Sequence, residues 1–139
     1  MVSVSDLADE LKSAVEFQQT PRKITQSEYE KFVINGIRKL YVDTGRAMQF
    51  DASNFVGDAG ADEYDLKLDE VEYVLLLAQI RFYKTVQADV NEQMSYTTDA
   101  LSVTGGDKPY KNLQDTISLL EKERRVTYYK MTRYALGIV

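Results

Sequence analysis

Acidic side chains are concentrated between residues 51 and 72, and their carboxylates are the groups in this chain that most readily suggest chemistry. A run of oxygen ligands at alternate positions begins at Asp58, as it does in a calcium-binding loop. Glu63, however, occupies the sixth position, where such a loop needs glycine, and Asp69 occupies the twelfth, where it needs a bidentate glutamate. A frame begun at Asp51 fails as well, because apolar residues fill its fifth and sixth positions. We therefore expect no metal site.

Other catalytic chemistry is restricted by composition. The 139 residues include no cysteine and no histidine, which excludes Ser-His-Asp and Cys-His nucleophile systems and zinc sites built on those side chains. The glycines before Lys108 do not form a phosphate-binding loop, because Pro109 follows the lysine where serine or threonine is required. A carboxylate-based or metal-dependent enzyme remains an alternative, but the sequence predicts a protein that is not an enzyme and has no cofactor.

Charge is distributed unevenly along the chain. The formal net charge is −5, yet residues 51–72 carry eight acids and one lysine, a net of −7, whereas residues 108–139 carry a net of +4. Opposite charges in two segments favour head-to-tail contact between copies, although both segments can equally be solvated surface. The candidate residues for subunit contact are Asp58, Asp62, Glu63, Asp65 and Lys67.

Basic, aromatic and apolar residues alternate near the C-terminus. Such a mixture suits either nucleic-acid stacking or a protein interface, and the acidic chain as a whole favours the protein interface. The candidate partner-binding residues are Arg124, Arg125, Tyr128, Tyr129, Lys130, Met131, Arg133, Tyr134, Leu136 and Ile138. We expect residues 126–139 to form a docking arm that is poorly ordered before it binds. The alternative is that the final helix packs back on its own domain.

Hydrophobic periodicity predicts a mainly α protein, a four-helix bundle-like domain with two long loops that carry short β segments. A single domain is expected over residues 1–139. Ser3 and the Thr25–Glu28 capping box predict the first two helix starts, Asp69 the third, and Pro109 the first turn of the fourth. The predicted helices span 5–18, 27–42, 70–94 and 109–134, and the β-like runs are 64–68 and 100–104.

No membrane partner is expected. The longest apolar run, residues 74–78, is far shorter than the roughly 20 residues that a membrane-spanning helix needs. The N-terminal residues have neither the basic start nor the apolar stretch of a signal peptide, so we expect synthesis in the cytoplasm.

Four stretches in this order resemble the head–tail connector, or adaptor, proteins of long-tailed bacteriophages. They are the acidic first helix at 6–11, the sequence Ile-Asn-Gly-Ile-Arg at 34–38, the apolar helix at 73–80, and the loop at 96–110 that leads into a long final helix. The resemblance covers most of the chain, and it lies in patterns and their order rather than in a catalytic signature.

The resemblance implies a structural virion protein without an active site. Connectors of this kind form a ring, commonly of twelve copies, between the portal and the next ring on the tail side. It further implies that the C-terminal segment binds the portal, that loops reach the head-closure or tail-side protein, and that DNA passes through the lumen without specific binding. The expected location is therefore the neck of the virion. The resemblance is compatible with subunits that are monomeric in isolation.

Two other functions stay open at this point. A head-closure or tail-completion protein would occupy the same neck, although closure proteins tend toward β-barrels and this chain is helical. A non-viral helical protein-interaction module would be monomeric or dimeric rather than ring-forming. The genes that flank this one would separate these possibilities.

Overall fold

The computed structural model describes residues 2–44, 63–64, 66–96 and 107–135, with side chains at 2–44, 66–92 and 111–132. Within these residues the chain forms helices joined by loops, with one pair of very short strands. The elements are β1 Val2–Ser3, α1 Val4–Ala14, α2 Gln26–Thr44, β2 Glu63–Tyr64, α3 Leu68–Tyr96 and α4 Asp107–Ala135. The predicted mainly α, four-helix bundle-like fold is confirmed.

The first two helices begin where their capping residues predict. The hydroxyl of Ser3 accepts a hydrogen bond of 3.0 Å from the backbone N–H of Asp6. At the start of α2, Glu28 N–H donates to the Thr25 hydroxyl at 3.3 Å, and Thr25 N–H donates to the Glu28 carboxylate at 3.4 Å. This reciprocal pair satisfies two N–H groups that the first turn would otherwise leave without partners.

The start of α3 differs from the prediction. The helix begins at Leu68, two residues before the expected start, and Asp69 lies inside its first turn rather than at the cap. The cap position is taken by Lys67, whose N–H donates to the Glu70 carboxylate at 2.9 Å. A carboxylate at the third helical position can bind the cap N–H whatever side chain the cap residue carries, so a lysine is accepted there.

The predicted strand at 64–68 is also shorter and earlier than expected. Among the described residues, Glu63–Tyr64 pairs in antiparallel register with Val2–Ser3, so that Val2 faces Tyr64 and Ser3 faces Glu63. Leu66 is buried against the core and Leu68 already belongs to the helix, which ends the alternation that suggested a longer strand. The second β-like run, 100–104, lies outside the described residues.

Helix α3 is the centre of the bundle. It packs against α2 on one side and α4 on the other, while α1 packs on α2 and on α3. Tyr73, Val74, Ala78 and Val86 are fully buried, so this helix contributes a large part of the core. Phe82 lies among Tyr29, Phe32 and Tyr83, with ring centroids 5.2–6.4 Å apart. In the part of the chain that the structure describes, no helix is long and apolar enough to cross a bilayer.

Helix α4 packs on α3 through an apolar face whose residues recur at helical spacing. Leu113, Ile117, Leu120 and Met131 are all buried. Ile117 and Leu120 form a second apolar cluster with Leu76 and Ile80 of α3. Pro109 is the third residue of the helix, within the first turn, where its missing N–H removes no helical hydrogen bond.

Helices α2 and α3 approach most closely at Gly36. A Cβ atom at this position would lie 2.9 Å from the backbone oxygen of Val74 and 3.3 Å from its Cγ1. Contacts this short with backbone cannot be relieved by a side-chain rotation, so the helices would have to separate. Glycine therefore sets the distance between α2 and the central helix.

We expect Gly36→Ala to destabilise the protein, although alanine favours a helix over glycine by about 0.5–1 kcal/mol. Overpacking costs about 1–3 kcal/mol, which outweighs that gain. Urea unfolding would measure the change, with Asn35→Ala, an exposed neighbour on α2, as the matched control. A Gly36→Ala protein more stable than the wild type would contradict the close approach.

We expect the contribution of Glu28 to stability to depend on pH. The hydrogen bond from Arg22, at 2.9 Å, holds the pKa of Glu28 below its ordinary value. Because the folded-state pKa is lowered, this contribution is present above the unfolded pKa of about 4.3 and is lost as the pH falls through the folded pKa. The difference in unfolding free energy between wild type and Glu28→Gln should therefore shrink from pH 7 to pH 3.

The matched control is Glu16→Gln, which removes an exposed carboxylate in the turn after α1. An exposed charge of this kind contributes little to stability, so this variant should follow the wild type closely at pH 7. A Glu28→Gln difference that stays constant between pH 7 and pH 3 would show that the carboxylate is not coupled to Arg22 as described.

Candidate functional site

The predicted partner-binding residues are divided between two faces of α4. Arg125, Tyr129 and Lys130 point outward and, with Val126, line a shallow cavity of about 310 Å³. Tyr129 is 76% exposed and Val126 is 55% exposed, which is unusual for residues of this size. We call these four residues the outer patch. Arg125, Tyr129 and Lys130 are predicted partner-binding residues that the structure brings together on an accessible surface, and Val126 is added to them by the structure.

The outer patch belongs to a row of exposed apolar side chains along α4. Leu119 is exposed and lies seven residues, or about two helical turns, before Val126. These residues lie on the opposite side of the helix from Leu113, Ile117, Leu120 and Met131. Helix α4 therefore has a buried apolar face and a smaller exposed one, which a helix packed on a single neighbour does not require.

Three of the predicted binding residues face the bundle instead. Met131 is buried in the core, and the Tyr128 hydroxyl donates a hydrogen bond of 3.2 Å to the backbone oxygen of Asp43. The Arg124 side chain is partly buried, and its guanidinium donates to Glu121 at 2.9 Å. The assignment of these residues to a partner surface is corrected, because helical periodicity turns positions 124, 128 and 131 toward α3 while it turns 125 and 129 outward.

The predicted docking arm is continuous with α4. The helix runs through residue 126 without interruption and ends at Ala135, and Thr127 and Met131 are buried against the bundle. Residues 126–132 are therefore placed as in the alternative, in which the final helix packs back on its own domain, and the order of this segment before binding stays a prediction. Arg133 and Tyr134 are in the helix but outside the described side chains, and Leu136 and Ile138 lie outside the described residues.

The predicted subunit-contact residues lie mostly beyond what the structure describes. Asp58, Asp62 and Asp65 are outside the described residues, and so are the first five positions, 58–62, of the calcium-like frame that begins at Asp58. Glu63 is in β2, and Lys67 caps α3 with its side chain exposed. Among the described residues there is no group of three acidic, cysteine or histidine side chains close enough to hold a metal ion.

A network of polar side chains connects α2, α3 and α4 and includes Arg124. The Tyr73 hydroxyl donates to the Asp43 carboxylate at 2.5 Å and accepts from the Arg124 guanidinium at 3.4 Å. Lys39 lies 3.6 Å from the same carboxylate, and the Tyr128 ring packs against Tyr73 with centroids 6.2 Å apart. Burial, together with the hydrogen bond to Asp43, raises the pKa of Tyr73 to about 12, so its hydroxyl stays protonated at neutral pH.

A second cavity, of about 550 Å³, lies between α2 and α4 over the surface of α3. Its apolar floor consists of Phe32, Leu77 and Ile80. The remaining lining is polar and mostly cationic: Asn35, Gly36, Lys39, Arg81, Lys84, Glu121 and Arg124. We call this cavity the basic groove. Glu121 and the nearby Asp43 offset two of its four cations, so a net positive charge remains.

Sequence patterns did not reveal the basic groove. Its cations come from three helices, and only Arg124 belongs to the C-terminal segment whose positive charge the sequence makes visible. Lys39 on α2 and Lys84 on α3 occur at positions typical of exposed helix surfaces, so no local sequence pattern distinguishes them from ordinary solvated lysines. No protein-family model, curated protein or solved structure matches this chain.

We expect Tyr73→Phe to lower stability by about 1–3 kcal/mol, because it leaves the buried polar groups of Asp43 and Arg124 without a common partner. Thermal or urea unfolding measures this directly. Tyr129→Phe is the matched control, since it removes the same hydroxyl from an exposed tyrosine and should change stability by less than about 0.5 kcal/mol. Equal effects of the two substitutions would contradict the network.

Proposed function

We propose that this protein is a head–tail connector of a long-tailed bacteriophage. In this proposal twelve copies form a ring in the virion neck between the portal and the tail-side or head-closure protein. The ring is a structural part of the DNA channel and has no active site. The proposal rests on the order of the sequence stretches that resemble connectors, and a helical bundle is compatible with it.

Within this proposal, the outer patch is the structural observation that supports binding to the portal. Tyrosine and arginine are the residues that most often contribute strongly to protein–protein binding, and Tyr129 and Arg125 are adjacent here on an exposed helix face. An exposed aromatic ring beside an exposed valine is unfavourable in water, so a partner that covers both gains hydrophobic free energy. We assign this patch to the portal.

The position of the outer patch on a packed helix makes it a rigid binding surface. Met131 and Thr127 hold the same turns of α4 against the bundle, so Tyr129 and Lys130 lose little backbone freedom when they bind. Docking through the outer patch differs from docking through the poorly ordered arm that the sequence suggested, because the contact is made by a helix face that is already formed. Any further contact by residues 136–139 is additional to it.

The charge of the chain suits a channel through which DNA moves. A protein with a net charge of −5 does not bind phosphate through general electrostatic attraction. The cations of the outer patch are few and accompany apolar residues, as they do at protein interfaces. We therefore propose that DNA passes through the ring without specific binding.

Binding to the portal protein encoded alongside this chain tests the proposal. We expect Tyr129→Ala to weaken binding by about 2 kcal/mol, which corresponds to roughly 30-fold in Kd. Arg125→Glu should weaken it comparably, while both variants keep the wild-type melting temperature because their side chains are exposed. Co-sedimentation with assembled portals and calorimetric titration would measure the loss.

The matched control for Arg125→Glu is Lys111→Glu, which reverses an exposed charge on the same helix away from the outer patch. It should bind the portal as the wild type does. Portal binding that survives Tyr129→Ala and Arg125→Glu together would remove the outer patch as the docking surface. A wild-type chain that does not bind the portal at all would overturn the connector proposal in favour of a non-viral interaction module.

A further inference from the structure

The basic groove has a chemical character that selects its ligand. Phe32, Leu77 and Ile80 give it an apolar floor, and Arg81 and Lys84 place exposed cations along its side. A free inorganic anion would neutralise the cations but leave the apolar floor in contact with water. The groove therefore fits a protein segment that combines an apolar side chain with carboxylates.

The first helix of this chain ends in such a segment. Glu10 is exposed on α1, and Glu16 is exposed in the turn that follows it. Lys12 lies in the last turn of the helix, so residues 9–17, with three acids and one lysine, carry a net charge of −2. Phe17, the next residue, is 91% exposed, the most exposed of the large apolar side chains in the described residues. The turn is fixed by a hydrogen bond of 3.0 Å from Gln18 N–H to the Val15 carbonyl. Phe17 therefore lies in a hydrogen-bonded turn with its ring exposed to solvent.

We infer that the basic groove of one copy binds the acidic end of α1 of a second copy, with Phe17 against the apolar floor and Glu16 and Glu10 near Lys84 and Arg81. Opposite charge and the matching apolar groups support this pairing. No residue of α1 is among the described residues that line the groove, and Phe17 is exposed rather than inserted into the groove of its own copy. The contact must then be made between copies.

This contact is heterologous, because it joins two different surfaces of identical chains. Every copy has both an α1 end and a basic groove, so the same contact can be repeated from copy to copy. The copies close into a ring when the rotation that relates one copy to the next divides a full turn. The biological role of this contact, as the subunit interface of the connector ring, rests on the proposed function. Its physical basis, the groove and the end of α1, is independent of that role.

Cysteine trapping tests the inference, since the chain has no cysteine of its own. Gln19→Cys is placed beside Phe17, and Asn35→Cys is placed at the groove, so both substitutions leave the proposed contact groups intact. The two variants carry different mass tags and are mixed without portal under mild oxidation. We expect the mixed disulfide to form at least about tenfold faster than with the control partner Lys122→Cys, an exposed position on the outer side of α4.

Charge reversal supplies the second measurement. Lys84→Glu in the groove partner should slow trapping at least about tenfold, and Glu16→Lys in the other partner should restore it, because the pair is then reversed rather than broken. Lys111→Glu, an exposed charge reversal outside the groove, should have no effect. Phe17→Ala should also slow trapping while leaving the melting temperature unchanged.

Three results would overturn the inference: equal trapping by Asn35→Cys and Lys122→Cys, no effect of Lys84→Glu, or preferential trapping of Asn35→Cys by Asp58→Cys. The last would assign the groove to the acidic segment 51–72 instead of α1. A chain that binds the portal but gives no specific trapping keeps the connector function and loses this contact. A chain that is trapped as expected but does not bind the portal keeps the contact and loses the connector function.

Discussion

The burial of α3 between α2 and α4 is the constraint on which the rest of the structure depends. Its close approach to α2 is possible because Gly36 has no side chain to hold the helices apart, and its contact with α4 is made through two separate apolar clusters. Because α2 and α4 both pack on α3, the space between them over α3 remains as the basic groove. The same arrangement brings Asp43, Tyr73 and Arg124 together from three helices.

Features that depend on neighbouring residues could be predicted from the sequence. The Thr25–Glu28 capping box, the Ser3 cap and the inner face of α4 all follow from spacings of three or four residues, and the structure has them. The predicted start of α3 is two residues too late, because Asp69 is a stronger cap by residue type than Lys67. In the structure, the Glu70 carboxylate accepts the hydrogen bond from Lys67 N–H that decides where the helix begins. Residue type alone does not show whether the capping hydrogen bond will be accepted by the side chain of the cap residue or by a side chain three residues later in the helix.

Features that join distant parts of the chain could not be predicted. The bond between Tyr73 and Asp43 spans 30 residues, and that between Tyr128 and Asp43 spans 85, so no local pattern indicates either. The pairing of β1 with β2 was missed because a two-residue strand has no detectable alternation. For the C-terminal candidates, composition groups all the basic and aromatic residues of α4 together, although they lie on two faces of the helix. Only helical phase separates Tyr128 from Tyr129.

The two faces of α4 have a consequence for how the protein can evolve. Residues that stabilise the bundle, such as Ile117 and Met131, are not those that form the outer patch, such as Arg125 and Tyr129. Partner preference can therefore diverge between lineages through the outer patch while the fold is conserved. Arg124 borders the basic groove and also belongs to the buried network with Tyr73, so a change there alters both at once. Among relatives of this chain, position 124 should vary more slowly than position 125.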